Sequence, residues 1–240
     1  RVEESVDDPE IAEALKPWYA LFCKRPCFDD EYLPTFNREN VDLIDTGGLG
    51  VEKITSGGVV VAGEEYEVDC IIFATGFEVG TGYERRAGCQ VVGADGRTLT
   101  EKWDEHGVST LHGLQTSGYP NYFMLGANQG AFTVNFPHLL DEAATNTVCI
   151  IKHTVDEGYL TVDVVQEAED EWVKTIVEKA RGPIGSGPGS TECTPGYYNN
   201  EGHLNEKARQ GAPYGGGSVE FFKLMEGWRN DGDFKGLKFN

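Results

Sequence analysis

Residues 69–77 read DCIIFATGF. The run Cys70–Ala74 is continuously apolar and rich in β-branched and aromatic residues, the pattern of a strand buried on both faces. It stops at Thr75–Gly76, where a small residue and a glycine let the backbone approach another group closely. The residues before it are patterned as β-structure too. "VEKIT" (51–55), a Ser56-Gly57-Gly58 turn and "VVVAG" (59–63) predict a hairpin, and "YEV" (66–68) leads into the apolar run. A second apolar segment, "NYFML" (121–125), predicts another buried strand ending in small residues.

Helical patterns flank this β-region. "PEIAEALKPWYAL" (9–21) predicts a short helix with Pro9 in its first turn and Pro17 ending or kinking it, and "NVDLID" (40–45) predicts a short strand. Beyond "NYFML", a helix is expected from about Pro137 to Gly158. Leu139, Leu140, Ala143, Ala144, Val148 and Ile151 form its apolar face. Residues 163–182 predict a second amphipathic helix with Asp163 as N-cap. Residues 218–228 predict a last one. Between them, 182–217 is rich in Gly and Pro, as in a long irregular loop.

The totals narrow the function classes. Forty acidic residues against 20 basic ones give a net charge of −20, which opposes binding to nucleic acid or to an anionic membrane. With 39% apolar residues and no run of 18, the chain has no transmembrane segment by sequence. The first residues, "RVEESVDDPE", lack the apolar core of a secretory signal. Six dispersed cysteines fit no zinc spacing. They read as small buried hydrophobes of a reducing compartment, and a cytoplasmic location is expected. His106, His112, His138, His153 and His203 show no ligand spacing, so no metal is expected. Against this acidic background "FCKRPCF" (22–28) stands out. Lys24 and Arg25 sit side by side among residues that prefer burial, which suggests charge held at a site.

"CKRPCFDDEYLPTFNRENVDLID" (23–45), "FATGFEVGTG", "GYPNYFMLGANQGAFTVNFPHLLDEAA", "EAEDEWV", "CTPGYYNNEG" and "FFKLMEGWRNDGDFKGLKF" occur in this order. Together they resemble the type I Baeyer–Villiger monooxygenases, over nearly the whole chain. "PGYYNNEG" resembles the subgroup acting on bulky, macrocyclic or polycyclic ketones. The resemblance implies an α/β fold: the C-terminal part of a flavoprotein with two dinucleotide-binding domains. Its parts would be a β-hairpin meander, buried strands, and a C-terminal helical region with a long irregular loop. Residues 1–50 would close the NADP-binding domain and link onward. Residues 51–136 would supply the closing meander and strands of the FAD-binding domain. Residues 137–240 would form the C-terminal helices, the covering loop and the tail.

The family's two Gly-x-Gly-x-x-Gly loops and the signature between them are not in this sequence; "GGLG", "GSGPGS" and "GGG" lack a βαβ context. Two nucleotide domains need roughly 100–150 residues each. The chain is therefore expected to be a fragment, a split polypeptide or a degenerate relative. Its partners would be the missing N-terminal FAD and NADP domains, in the same or a separate chain.

The resemblance also implies roles. Arg25 would be catalytic, stabilising negative charge at the flavin during oxygen transfer. Lys24 would meet the 2′-phosphate of NADPH. Thr75, Gly76, Asn135, Phe136 and Tyr197 would contact cofactor, and Phe132, Thr133 and Tyr198 the substrate. Many members carry Trp where this chain has Gly196. Independently, Pro137 suits the first turn of a helix, so main-chain N–H groups of Asn135–His138 would face outward at a positive dipole end. The implied reaction uses FAD, NADPH and O2 to convert a ketone to an ester or lactone. An N- or S-oxidising flavin monooxygenase, and an inactive module that binds only with a partner, are the alternatives.

Overall fold

A computed structural model describes residues 1–17, 19, 23–25, 27–77, 81–126, 128–180, 193 and 207–240. The chain divides into two compact units, Arg1–Phe77 and Glu78–Asn240.

In the first unit, α1 (Val2–Ser5) and α2 (Pro9–Ala14) are joined by a capped corner. The Asp8 carboxylate accepts from the N–H groups of Glu10 (2.8 Å) and Ile11 (3.2 Å), and Pro9 occupies the first turn. The Asn37 side chain ties this corner to the end of α3 (Tyr32–Thr35), accepting from Asp7 N at 2.9 Å and donating to Ser5 O at 2.9 Å. The expected strand at 40–45 does not form; residues 41–46 have no regular structure.

The expected meander does form, as three antiparallel strands: β1 (Lys53–Ile54), β2 (Gly58–Val61) and β3 (Glu64–Glu67). Lys53 faces Val60, and Gly58 faces Glu67. Thr55 closes the first turn by accepting on Oγ1 from Gly58 N (3.0 Å). The second turn, Ala62–Gly63, has both residues at positive φ (50° and 81°), which matches the twist of a tight hairpin. Val60 and Val61 are buried beneath it.

DCIIFATGF departs from the sequence expectation. Residues 69–77 join no ladder and are exposed; Ile72 is 85% and Phe73 72% accessible. An apolar run of this kind is buried only when strands flank both its edges and layers cover both its faces. Among the described residues nothing pairs with it.

The second unit holds the larger core. After α4 (Tyr83–Ala87), α5 (Leu99–His106) starts at a capping box: Thr98 Oγ1 accepts from Glu101 N (3.1 Å) and Glu101 accepts from Thr98 N (2.8 Å). The long α6 (Phe136–Asp156) matches the expected start and end, with Asn135 as N-cap and Gly158 at φ 77° beyond its C-terminus. Its buried face differs from the expected one. Leu139, Asn146, Ile150 and Thr154 point inward, while Val148 and Ile151 are exposed.

Next come β4 (Val162–Val164), α7 (Gln166–Lys179), a 3-10 turn (Ala208–Gly211), α8 (Ser218–Asp231) and β5 (Leu237–Phe239). β5 pairs antiparallel with β4, Val162 opposite Phe239. Asp163 is therefore a strand residue and not the cap of α7. Its carboxylate accepts from Gly118 N (3.1 Å) and pairs with Lys238 (3.2 Å). Ile150, Val162, Val164, Trp172, Ile176, Phe221, Met225 and Phe234 form the core between these elements. "NYFML" is irregular rather than a strand. Asn121 has φ 60° and donates its N–H to Val162 O (2.9 Å), and Met124 N donates to Leu114 O (2.7 Å).

A buried ion pair ties α5 to α7. Lys102 Nζ donates to Glu169 Oε1 (3.0 Å), Thr116 Oγ1 (2.7 Å) and Ser117 O (2.8 Å). Glu169, fully buried, also accepts from Thr116 Oγ1 and from Ser117 N, both at 2.9 Å. Every ionised atom of this pair has partners, which is the condition for burying two charges.

Candidate functional site

The basic pair lies where chain direction is set by loops rather than by a helix or strand. Lys24 is half-buried, its ammonium 5.6 Å from the centre of the Tyr19 ring. The next side chain, Arg25, is exposed, and Cys27 Sγ contacts its carbonyl at 3.8 Å. Phe28 stands almost fully in solvent. An exposed guanidinium can address an anionic ligand with five fixed donors. In the same unit Thr75 and Gly76 are exposed, and Gly76 takes φ 97°, a backbone shape that suits glycine.

The second unit assembles the other candidates at the start of α6. Asn135 caps the helix, its Oδ1 accepting from His138 N (3.3 Å), and its own N–H meets Thr133 Oγ1 (3.4 Å). Of the main-chain donors of Asn135–His138, two are thus taken by side chains and Pro137 has none. Only the Phe136 N–H lacks a partner among the described residues. The outward-facing donor set expected from the sequence shrinks to this one group, because the Asn and Thr side chains turn back onto the backbone. Around it, Phe132, Val134 and Phe136 are exposed, Val134 wholly so. Ser218, the first residue of α8, holds this segment by donating its hydroxyl to Phe132 O (2.9 Å). Sequence reasoning missed that role, although "GGGS" before an amphipathic run marks a helix start.

Tyr197, Tyr198, Gly196 and most of the expected covering loop fall outside the described residues. Among the described residues no group of His, Cys, Asp and Glu could hold a metal ion. The cysteines are less uniformly buried than expected: Cys27, Cys70 and Cys89 are exposed. His138 packs edge-on against Phe222, and His153 lies among Phe234, Phe239 and Tyr159. Among the described residues no helix is long and apolar enough to cross a membrane.

His112 titrates well below the usual histidine range. Burial alone pushes its pKa down to about 4, so the ring is neutral at pH 7. Its Nδ1 is buried without a hydrogen-bond partner. A histidine with a depressed folded pKa contributes its stability above the unfolded value near 6.5 and loses it as pH falls toward 4. The loss reaches about 3 kcal/mol at most. Urea unfolding at pH 7 and pH 4.5 should show this as a wild-type-minus-variant difference against His112→Asn, which tolerates the residue's positive φ. Equal pH slopes for the two proteins would show that His112 is not buried neutral.

No family model matches the chain. Individual proteins do. The chain is 47% identical over 238 residues to the FAD-binding monooxygenase hmp7 of Hypomyces subiculosus, covering 99% of this chain and 39% of that protein. It is 44% identical to Baeyer-Villiger monooxygenase 4 of Dietzia sp., covering 100% and 38%. Its fold superposes on the polycyclic ketone monooxygenase from the thermophilic fungus Thermothelomyces thermophila with a TM-score of 0.87 at 35% identity, covering 100% and 38%. The chain thus spans about two fifths of the length of the relatives it matches. Over that span, it is similar to Baeyer–Villiger and other FAD-binding monooxygenases.

Proposed function

We propose that this chain is the C-terminal portion of an FAD- and NADPH-dependent Baeyer–Villiger monooxygenase acting on a bulky or polycyclic ketone. The supporting observation is end-to-end similarity to such enzymes over 38–39% of their length, together with exposure of the segments expected to meet cofactor. Residues 1–50 would close an NADP-binding domain, 51–136 would complete an FAD-binding domain, and 137–240 would cover substrate. The remaining length of the relatives would supply the nucleotide-binding loops, and a cytoplasmic location would suit the enzyme.

In the first unit, Thr75–Gly76 is exposed backbone beside exposed Phe73 and Phe77; in the second, the start of α6 at Phe136 lies beside exposed Phe132 and Val134; each would offer a flavin polar backbone edged by apolar surface. FAD, when bound, supplies the redox chemistry with NADPH and O2. Arg25 would hold a permanent positive charge against the anion that develops during oxygen transfer. Lys24 would bind the cofactor's 2′-phosphate as a point charge. Phe132 and Thr133 would border the ketone, with Tyr198, and Tyr197 would contact NADPH. Asn135 would keep the start of α6 in shape.

The test is reconstitution. The chain alone, with FAD, NADPH and bulky cyclic ketones, should form no lactone. These few contacts cannot offset the association cost of FAD. Fusion to the preceding part of a relative should give both flavin absorbance and lactone. Turnover by the chain alone at the level of a complete enzyme would overturn the proposal.

A further inference from the structure

Residues 132–134 form a short span between two fixed ends. Upstream, the fully buried Gln129 takes φ 57° and uses both polar atoms of its side chain. Its Oε1 accepts from Thr110 N (2.9 Å) and Thr110 Oγ1 (2.7 Å), and its Nε2 donates to Val108 O and Gln210 O, both at 2.8 Å. Gln129 N donates to Ala212 O (3.1 Å) and Tyr214 N to Gly130 O (2.8 Å), so residues 129–130 are strapped to 210–214. Downstream, Asn135 caps α6. Between these ends Phe132 and Val134 are exposed, so packing does little to hold them. Among the described residues, the bond from Ser218 to Phe132 O (2.9 Å) is the one hydrogen bond that reaches 132–134 from another element.

The donor stands on a rigid base. Tyr214 is buried and stacks on Trp172, with ring centres 5.6 Å apart and planes 4° apart. Its hydroxyl donates to Glu220 in the first turn of α8 (2.5 Å). A serine beside a helix start commonly turns its oxygen back onto N–H groups of its own helix. Here the N-cap is Gly217, at φ 93°, without a side-chain cap, and the Ser218 hydroxyl reaches away to Phe132 O. One neutral hydrogen bond to accessible backbone adds little to stability. A donor on a fixed base does, however, set the path of the backbone it meets.

We propose that Ser218 is a positioning residue for the ketone, acting through the Phe132 carbonyl. The inference rests on the reading of Phe132 and Thr133 as the ketone's border. With the carbonyl held, the peptide plane between Phe132 and Thr133 is fixed, and the directions of both side chains follow from it. Without the bond that plane is free to turn, and the ketone loses a fixed wall. Binding of NADPH does not depend on that wall.

The experiment has two arms. The first uses the full 240-residue chain. Chymotrypsin cleaves after accessible phenylalanine, and cleavage at Phe132–Thr133 is read by mass spectrometry against cleavage at the exposed Phe28. Ser218→Ala should raise this ratio about 3- to 10-fold, the span that one lost hydrogen bond allows. The midpoint of urea unfolding should stay nearly unchanged. Ser218→Thr, which keeps the hydroxyl, should restore the wild-type ratio. The second arm uses the fusion to the preceding part of a relative, with a bulky cyclic ketone. There Ser218→Ala should raise KM for the ketone by about the same 3- to 10-fold and leave KM for NADPH as it was, whereas general loss of structure would move both. An unchanged cleavage ratio, an unchanged ketone KM, a large fall in the urea midpoint, or no rescue by Ser218→Thr would overturn the proposal. A wild-type fusion that forms no lactone would overturn the reading of the chain as part of a monooxygenase, and this proposal with it. Lactone from the wild type with an unmoved Ser218→Ala variant would overturn this proposal alone.

Discussion

Arg25→Ala, introduced into the assembled enzyme, is expected to leave the flavin spectrum intact and to cut ester formation by about 100- to 1000-fold. That is the usual cost of removing one donor aimed at developing charge. The expectation rests on an exposed guanidinium, adjacent to a half-buried lysine, in a chain of net charge −20. No other side chain can replace it, since lysine lacks the planar fork. Arg25→Lys should therefore recover only part of the activity. NADPH oxidation without ester is the expected residue of activity, because flavin reduction does not need the arginine in this proposal. Lys24→Ala should behave differently, raising KM for NADPH while leaving KM for NADH alone. Near-normal ester formation by Arg25→Ala would remove the arginine from the chemistry.

The second large effect concerns stability. Glu169→Ala should destabilise the second unit by about 3–5 kcal/mol, because it leaves the Lys102 ammonium buried without its counter-charge. The same change also orphans the Ser117 N–H and removes an acceptor of Thr116. The double change Lys102→Met with Glu169→Leu should cost much less, since two apolar residues of similar size need no partners. The midpoint of urea unfolding, read at constant slope, separates the two results. A single variant as stable as the wild type would show that water reaches this pair. Surface pairs such as Lys152–Asp156 should matter little by comparison.

Local physics made much of this chain legible. The β1–β2–β3 meander follows from a glycine turn between β-branched runs, and its register is held by the Thr55 and Ala62–Gly63 turns. The start and end of α6 follow from Asn135, Pro137 and Gly158. α5 was equally readable, since Thr98-x-x-Glu101 is a capping box, but the expected element set did not include it. β5 was not readable. Three residues, Leu237–Phe239, form a strand only because β4 lies beside them, its Asp163 paired with Lys238 from 75 positions earlier in the chain.

The sequence by itself determined the elements whose hydrogen bonds close within a few residues: the meander, the caps and the helices. It also carried the order of motifs that identifies the chain's relatives, since those motifs are local strings. Tertiary structure decided which faces are buried. Periodicity placed Val148 and Ile151 inward, but α6 turns Asn146, Ile150 and Thr154 to the core and leaves the other two in solvent. It decided likewise that Cys70–Ala74, apolar enough for the centre of a sheet, lies exposed and unpaired among the described residues. Burial of such a run depends on partners distant in sequence, and an apolar string specifies what it needs to be covered by without supplying the cover. The polar pairs follow the same rule. Lys102 and Glu169 are 67 positions apart, and only the fold that brings both to the Thr116–Ser117 segment makes them a buried ion pair.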